Sequence, residues 1–161
     1  MSEDDLPPGM ERRLSLRILN YWRSIRQDDA FPAKGDLDPA AMSDIWGYCV
    51  ILKIEGNEAD PLVDFCGDEI KKLCGEDVTG KTISTAPPKC LITNGLNLYT
   101  RALAKRVPIT YGDEFENDKG VKVLFRSAIL PLSEDGTTID HFLCATNCRL
   151  DEPDTIDGDE A

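Results

Sequence analysis

The sequence predicts an α+β domain built on one antiparallel sheet, and three observations carry that prediction. Apolar residues recur at helical spacing over residues 11–27 and again over 89–105. Runs rich in apolar and β-branched residues fill 48–54, 62–66, 108–116, 121–132 and 138–149. Two of those runs precede the central helices and three follow them, without the strand–helix alternation of a parallel sheet. The 161 residues suit one domain, and 41% apolar content is enough for its core.

Each element has its own signal. Over residues 11–27, Leu14, Ile18, Tyr21, Trp22 and Ile25 form one stripe, with Arg12, Arg13, Arg17, Arg23 and Arg26 mostly on the remaining surface. The stripe needs cover, from the domain's own sheet or from the same helix of a second subunit. The turn-rich FPAKGDLDP follows. In it Asp38 can cap a short helix and Pro39 takes the first helical position, where its missing N–H costs nothing. Tyr48–Ile54 and Leu62–Cys66 read as strands of a hairpin joined through GNEAD and Pro61.

Helices are expected over Asp68–Cys74 and, as one longer element, over Lys89–Lys105, where Ile92, Leu96, Tyr99 and Leu103 keep a helical period. A strand begins in Pro108–Glu116. Asp135-Gly136 then marks a tight turn between Val121–Leu132 and the returning Thr138–Arg149. On the first of these strands Val121, Val123, Phe125 and Ile129 share one face, and Leu124, Ala128 and Leu130 the other. A sheet with a wet face alternates apolar with polar, so here both faces are expected to be covered. The central helices can take one side, and the N-terminal helix or a partner the other.

Thirty acids against 18 bases give a formal net charge of -12. Nine of those acids lie in residues 1–9 and 151–161, which hold no base, so residues 10–150 are nearly neutral. The expected organisation is a folded domain over 10–150 with disordered acidic ends over 1–9 and 151–161. The acid excess excludes a nucleic-acid-wrapping surface, which needs clustered Lys and Arg, and docking on an anionic membrane. No run approaches the roughly 20 apolar residues of a membrane span. The acidic start lacks the basic and apolar segments of a secretory signal, so the expected location is the cytoplasm. There Cys49, Cys66, Cys74, Cys90, Cys144 and Cys148 read as buried free thiols. One His and no C-x-x-C pair leave a zinc site unsupported. A thiol-based redox switch is the alternative use, through Cys66, Cys74 or the Cys144/Cys148 pair, which shares a strand face at a spacing of four.

Gly75-Glu76-Asp77-Val78-Thr79-Gly80-Lys81-Thr82 satisfies the phosphate-loop pattern G-x-x-x-x-G-K-[ST] letter for letter. Its context does not. It follows a helical segment instead of a buried strand, Pro87 and Pro88 interrupt what comes after, and Glu76 and Asp77 would sit in the anion cradle. Asp154, Asp157 and Asp159 suggest a calcium loop, but Pro153 would occupy the first ligand position. His141 reads as a strand histidine with no nucleophile placed near it. No catalytic or metal-binding residue is assigned.

Three longer strings point to a family. LRILNYWRSIRQDDAFPAKGDLDP, LVDFCGDEIKKLCGEDVTGKTIS and AILPLSEDGTTIDHFLCA resemble the opening helix, second strand and paired last strands of a bacterial single-domain PAS-like family, over about residues 13–148. That resemblance implies a five-stranded antiparallel sheet with helices on one face and an N-terminal helix. It places the phosphate-loop pattern in a connection between two short helices. It also implies a signalling or sensor role with no enzymatic activity, acting on a partner protein, with a homodimer through Leu14, Ile18, Tyr21, Trp22 and Ile25. PAS architecture implies a space between sheet and helices, with Phe65, Ile70, Leu73, Leu96, Tyr99, Leu103, Leu124 and Phe125 as candidate lining for a small apolar ligand. No cofactor is implied. The expected long helix lacks the His that haem needs, and Asn147-Cys148-Arg149 matches the flavin light-sensor motif in letters but not in place.

Overall fold

The computed structural model describes residues 12–56 and 59–151. The acidic segments 1–9 and 152–161, with the calcium-like aspartates, and Asn57 and Glu58 of the expected hairpin turn lie outside the described residues.

Helix α1 spans Arg12–Arg26, without a proline or glycine to break it. Short 3₁₀ turns follow, and in the second, Asp38 accepts from the Ala40 N–H at 3.1 Å with Pro39 at the first position, as the sequence predicts. Strands β1 (Cys49–Lys53) and β2 (Leu62–Cys66) pair antiparallel. Helices α2 (Asp68–Cys74), α3 (Leu91–Gly95) and α4 (Tyr99–Lys105) come next. Strands β3 (Ile109–Glu116), β4 (Lys122–Leu132) and β5 (His141–Asp151) complete a five-stranded antiparallel sheet in the order β2-β1-β5-β4-β3. The fold class is the expected one.

The expected single helix over Lys89–Lys105 is two helices. Leu96 and Leu98 leave helical geometry between them, although the apolar spacing runs through the break. The cause is contact with the sheet. A Cβ on Gly95 would lie 3.3 Å from Ser127 Oγ and 3.4 Å from Thr146 Oγ1, so α3 rests its bare backbone on β4 and β5 and then turns.

Both faces of the sheet are covered. Phe125, Ser127 and Ile129 on β4, with Cys144 and Thr146 on β5, face α3 and α4. On the opposite face Ala128, Leu130, Leu132, Leu143 and Ala145 are buried under α1 and under Phe31, Met42 and Ile45. Trp22, 4% exposed, donates its indole N–H to the Pro131 carbonyl at 2.7 Å, and Arg26 lies over its ring at 5.4 Å. Arg17 grips Asp44 through two bonds of 2.6 and 2.9 Å, which fixes the direction of α1 against the turn before β1.

The segment that matched the phosphate loop covers an edge of the sheet. Gly80 N–H donates to the Val63 carbonyl and Val63 N–H to that of Lys81, so the connection after α2 shields the outer side of β2. Lys81 is ion-paired to Glu76 at 2.7 Å.

Trp22→Phe keeps the apolar bulk but orphans a buried carbonyl, a loss of about 1–3 kcal/mol. The urea midpoint should fall at unchanged slope; an unmoved midpoint would mean that α1 is not held by this bond.

Candidate functional site

The region between α2–α4 and the sheet is assembled from residues far apart in sequence. Of the candidate lining residues, Ile70 of α2, Leu96 before α4, Tyr99 of α4 and Phe125 of β4 are buried in the core there. Leu103 is half-buried and packs on the same cluster. Three expected lining residues lie elsewhere. Leu124 is one position from Phe125 and therefore points to the α1 face, where it is half-buried. Phe65 is turned by a bulge: the register slips between Ile51 and Leu52, Asp64 becomes the extra residue, and Phe65 joins Ile51's face and stacks on Trp46 at 5.0 Å. Leu73 lies near the end of the two-turn α2 and points out, 46% exposed.

The sequence reading missed the polar centre of this region. Ser127 Oγ and Thr146 Oγ1 lie 2.7 Å apart across paired strands, both fully buried, and Thr146 also reaches the Arg126 carbonyl at 3.1 Å. Tyr111 of β3 donates its hydroxyl to the Gly95 carbonyl and packs edge-on against Phe125 with centroids 5.9 Å apart. Burial pushes the Tyr111 phenol well above its ordinary range, so it is held as a neutral donor. The available signal was Ser127 standing alone among apolar residues on its strand face. Tyr99 donates to the Ala59 carbonyl at 2.5 Å, anchoring α4 to the segment before β2.

The residues expected to meet a second copy divide. Leu14, Ile18 and Trp22 are buried on the chain's own sheet, while Tyr21 and Ile25 are half-buried. The Tyr21 hydroxyl accepts from the Asp38 N–H at 2.7 Å. Leu16, on the outer side of α1, is exposed.

The thiols also differ from one another. Cys49 and Cys144 are fully buried, and desolvation pushes Cys49 up to about 12 and Cys144 well up. Cys144 and Cys148 share a face, but four residues of strand separate them by about 13 Å, too far for a disulfide. Cys66 is raised to about 11, chiefly by burial. His141 is held by Asp140 at 2.6 Å, with Asp64 at 3.9 Å on its other nitrogen. Among the described residues no group of three or more His, Cys, Asp or Glu could hold a metal ion, and no helix is long and apolar enough to cross a membrane.

The PAS domain family matches the sequence over residues 10–146. The chain belongs to that family. Solved structures similar to this PAS domain include a light-oxygen-voltage domain studied with a flavin analogue, at 12% identity and a TM-score of 0.48, covering 74% of this chain and 87% of the other. The PAS domain of the fruit-fly ELK potassium channel is 13% identical with a TM-score of 0.45, covering 66% and 90%. The PAS domain of an HTR-like protein from Haloarcula marismortui is 16% identical with a TM-score of 0.41, covering 70% and 96%. No curated protein matches the sequence.

Gly95 tests how tightly this PAS interior is closed. Gly95→Ala brings its Cβ within 3.2 Å of Leu91 Cδ1 as well as onto the two hydroxyls, an overpacking cost of about 1–3 kcal/mol. Gly35→Ala, with nothing within 4 Å, should change stability by less than about 0.5 kcal/mol. Equal thermal midpoints for the two variants would show that the interior is looser than described.

Proposed function

We propose that this PAS domain is a non-enzymatic cytoplasmic regulatory module that passes its signal on through contacts with another protein. The observation that supports this reading is the filled interior. Ile70, Ile92, Leu96, Ile129 and Phe142 are completely buried there, and the hydroxyls among them bond to one another or to backbone. Recognition is thereby directed to the outside of the fold, where Leu16 is exposed; in sequence, the segment 151–161 supplies six carboxylates without a base. Affinity capture from the native cytoplasm by the full chain should enrich one defined partner, and deleting 151–161 should weaken that capture. Equal recovery with an unrelated acidic protein of the same size would overturn the reading.

As a homodimer, the module would use the outer side of α1, where Leu16 is exposed. Light scattering at high micromolar concentration should show a dimer that Leu16→Asp dissociates; a monomeric wild type ends the dimer proposal.

A second reading, a small-molecule sensor, is favoured by the three hydroxyls of Tyr111, Ser127 and Thr146 set among apolar side chains, the mixture that ligand sites use. Native mass spectrometry of freshly purified protein separates the two readings: a retained mass supports the sensor, the bare chain the interaction module.

A further inference from the structure

An open cleft of about 590 Å³ lies at the end of the sheet, outside the closed interior. The end of α2, the residues leading into α3, the turn between β3 and β4, and Leu150 of β5 wall it. Its apolar part includes Leu73, Val121 and Leu150. Leu73 and Leu150 are each 46% exposed, although an aliphatic side chain gains by leaving water. Lys72, Lys89 and Lys119 also line the cleft, against one carboxylate, that of Asp118. Lys72 lies 3.4 Å from Glu69, while the ammonium groups of Lys89 and Lys119 pair with no described residue. The frame is fixed before anything enters. Asn94 Nδ2 donates to the Pro88 carbonyl at 3.0 Å, beside Lys89. On the other wall Asn117 Oδ1 accepts from the Lys119 and Val121 N–H groups at 2.9 and 3.0 Å. A preformed apolar floor with a cationic rim suits an acidic segment that carries one aliphatic side chain.

The chain's own sequence supplies such a segment at that spot. Strand β5 runs through Leu150 to Asp151, and residues 152–160 follow. They hold Glu152, Asp154, Asp157, Asp159 and Glu160, no base, and Ile156 in their midst. Ile156 is six residues from Leu150, a reach of up to about 20 Å, enough to return to the wall from which the chain departs. We infer that the cleft is the seat of residues 152–160 of the same chain, with Ile156 against Leu73, Val121 and Leu150 and carboxylates at Lys89 and Lys119. Tethering favours this occupant over one in solution, because a segment joined through a few residues has a local concentration on the order of millimolar. A foreign acidic segment, or the same segment of a second copy, has to displace it. The contact lies within one chain and is independent of the partner reading.

The test is carbodiimide coupling of lysines directly to carboxylates in the full chain, as an equal mixture of isotopically light and heavy protein at low salt, then digestion and mass mapping. The expected result is Lys89 or Lys119 joined to Asp154, Asp157, Asp159 or Glu160, light to light and heavy to heavy only. These joins should fall about tenfold in Ile156→Ser, which keeps every charge but removes the aliphatic anchor. They should fall also in molar salt, which screens surface charge pairs. Joins of light to heavy would give the seat to a second copy and overturn the inference. Joins spread over all the lysines, joins to Lys122 alone, which already faces Asp151 in the sheet, or none at all would overturn it too. So would equal joins in Ile156→Ser. The wild-type map decides the matter even where the variant fails to fold.

Discussion

The two long strands β4 and β5 are apolar on both faces, and the rest of the molecule is arranged around that constraint. Seven consecutive residues of β5, His141–Asn147, are buried, so neither face of the sheet's centre meets water. Burying apolar surface is worth about 25 cal/mol per Å², and a strand of this kind gains it only if a second and a third layer are present. The α2–α4 group supplies one layer and α1 the other. Trp22 is large enough to fill the outer layer, but its N–H cannot be left dry; the carbonyl of Pro131 receives it.

That three-layer packing also decides where chemistry can occur. The helix-facing interior accepts polar groups only as closed sets, as with the Ser127–Thr146 pair and the bond from Tyr111 to Gly95, because an unpaired hydroxyl there is costly. Segments of the chain approach one another so closely that glycine is required at some contacts. Gly67, just before α2, shows this most sharply: a Cβ there would lie 2.3 Å from the carbonyl oxygen of Gly47 in the turn before β1. At the rim, the α2–α3 connection leaves an open cleft beside the sheet.

Elements set by local pattern were legible in the sequence. The α1 stripe, α2, the strand runs and the cap at Asp38 follow from periodicity and turn chemistry over a few residues, and the antiparallel architecture follows from their order. What was not legible depends on pairing between distant segments. The break between α3 and α4 is imposed by β4 and β5 touching Gly95, while the apolar period runs through it unchanged. The face of Phe65 depends on a bulge that exists only once β1 and β2 are in register. An amphipathic stripe states that α1 must be covered but not by what, and its own sheet took Leu14, Ile18 and Trp22.

The strand order β2-β1-β5-β4-β3 puts the last of the sheet's five strands in sequence at its centre. A nascent chain that has emerged only as far as β4 holds two hairpins-to-be, β1–β2 and β3–β4, with no hydrogen-bonding partner between them. The indole of Trp22 and the carbonyl that receives it are separated by 109 residues, so α1 waits with its apolar face uncovered until that partner is made. Non-local closure of this kind slows folding and leaves sticky edges exposed meanwhile. The sheet can therefore close only once β5 has been made, and a chain interrupted before His141 leaves it open at its centre.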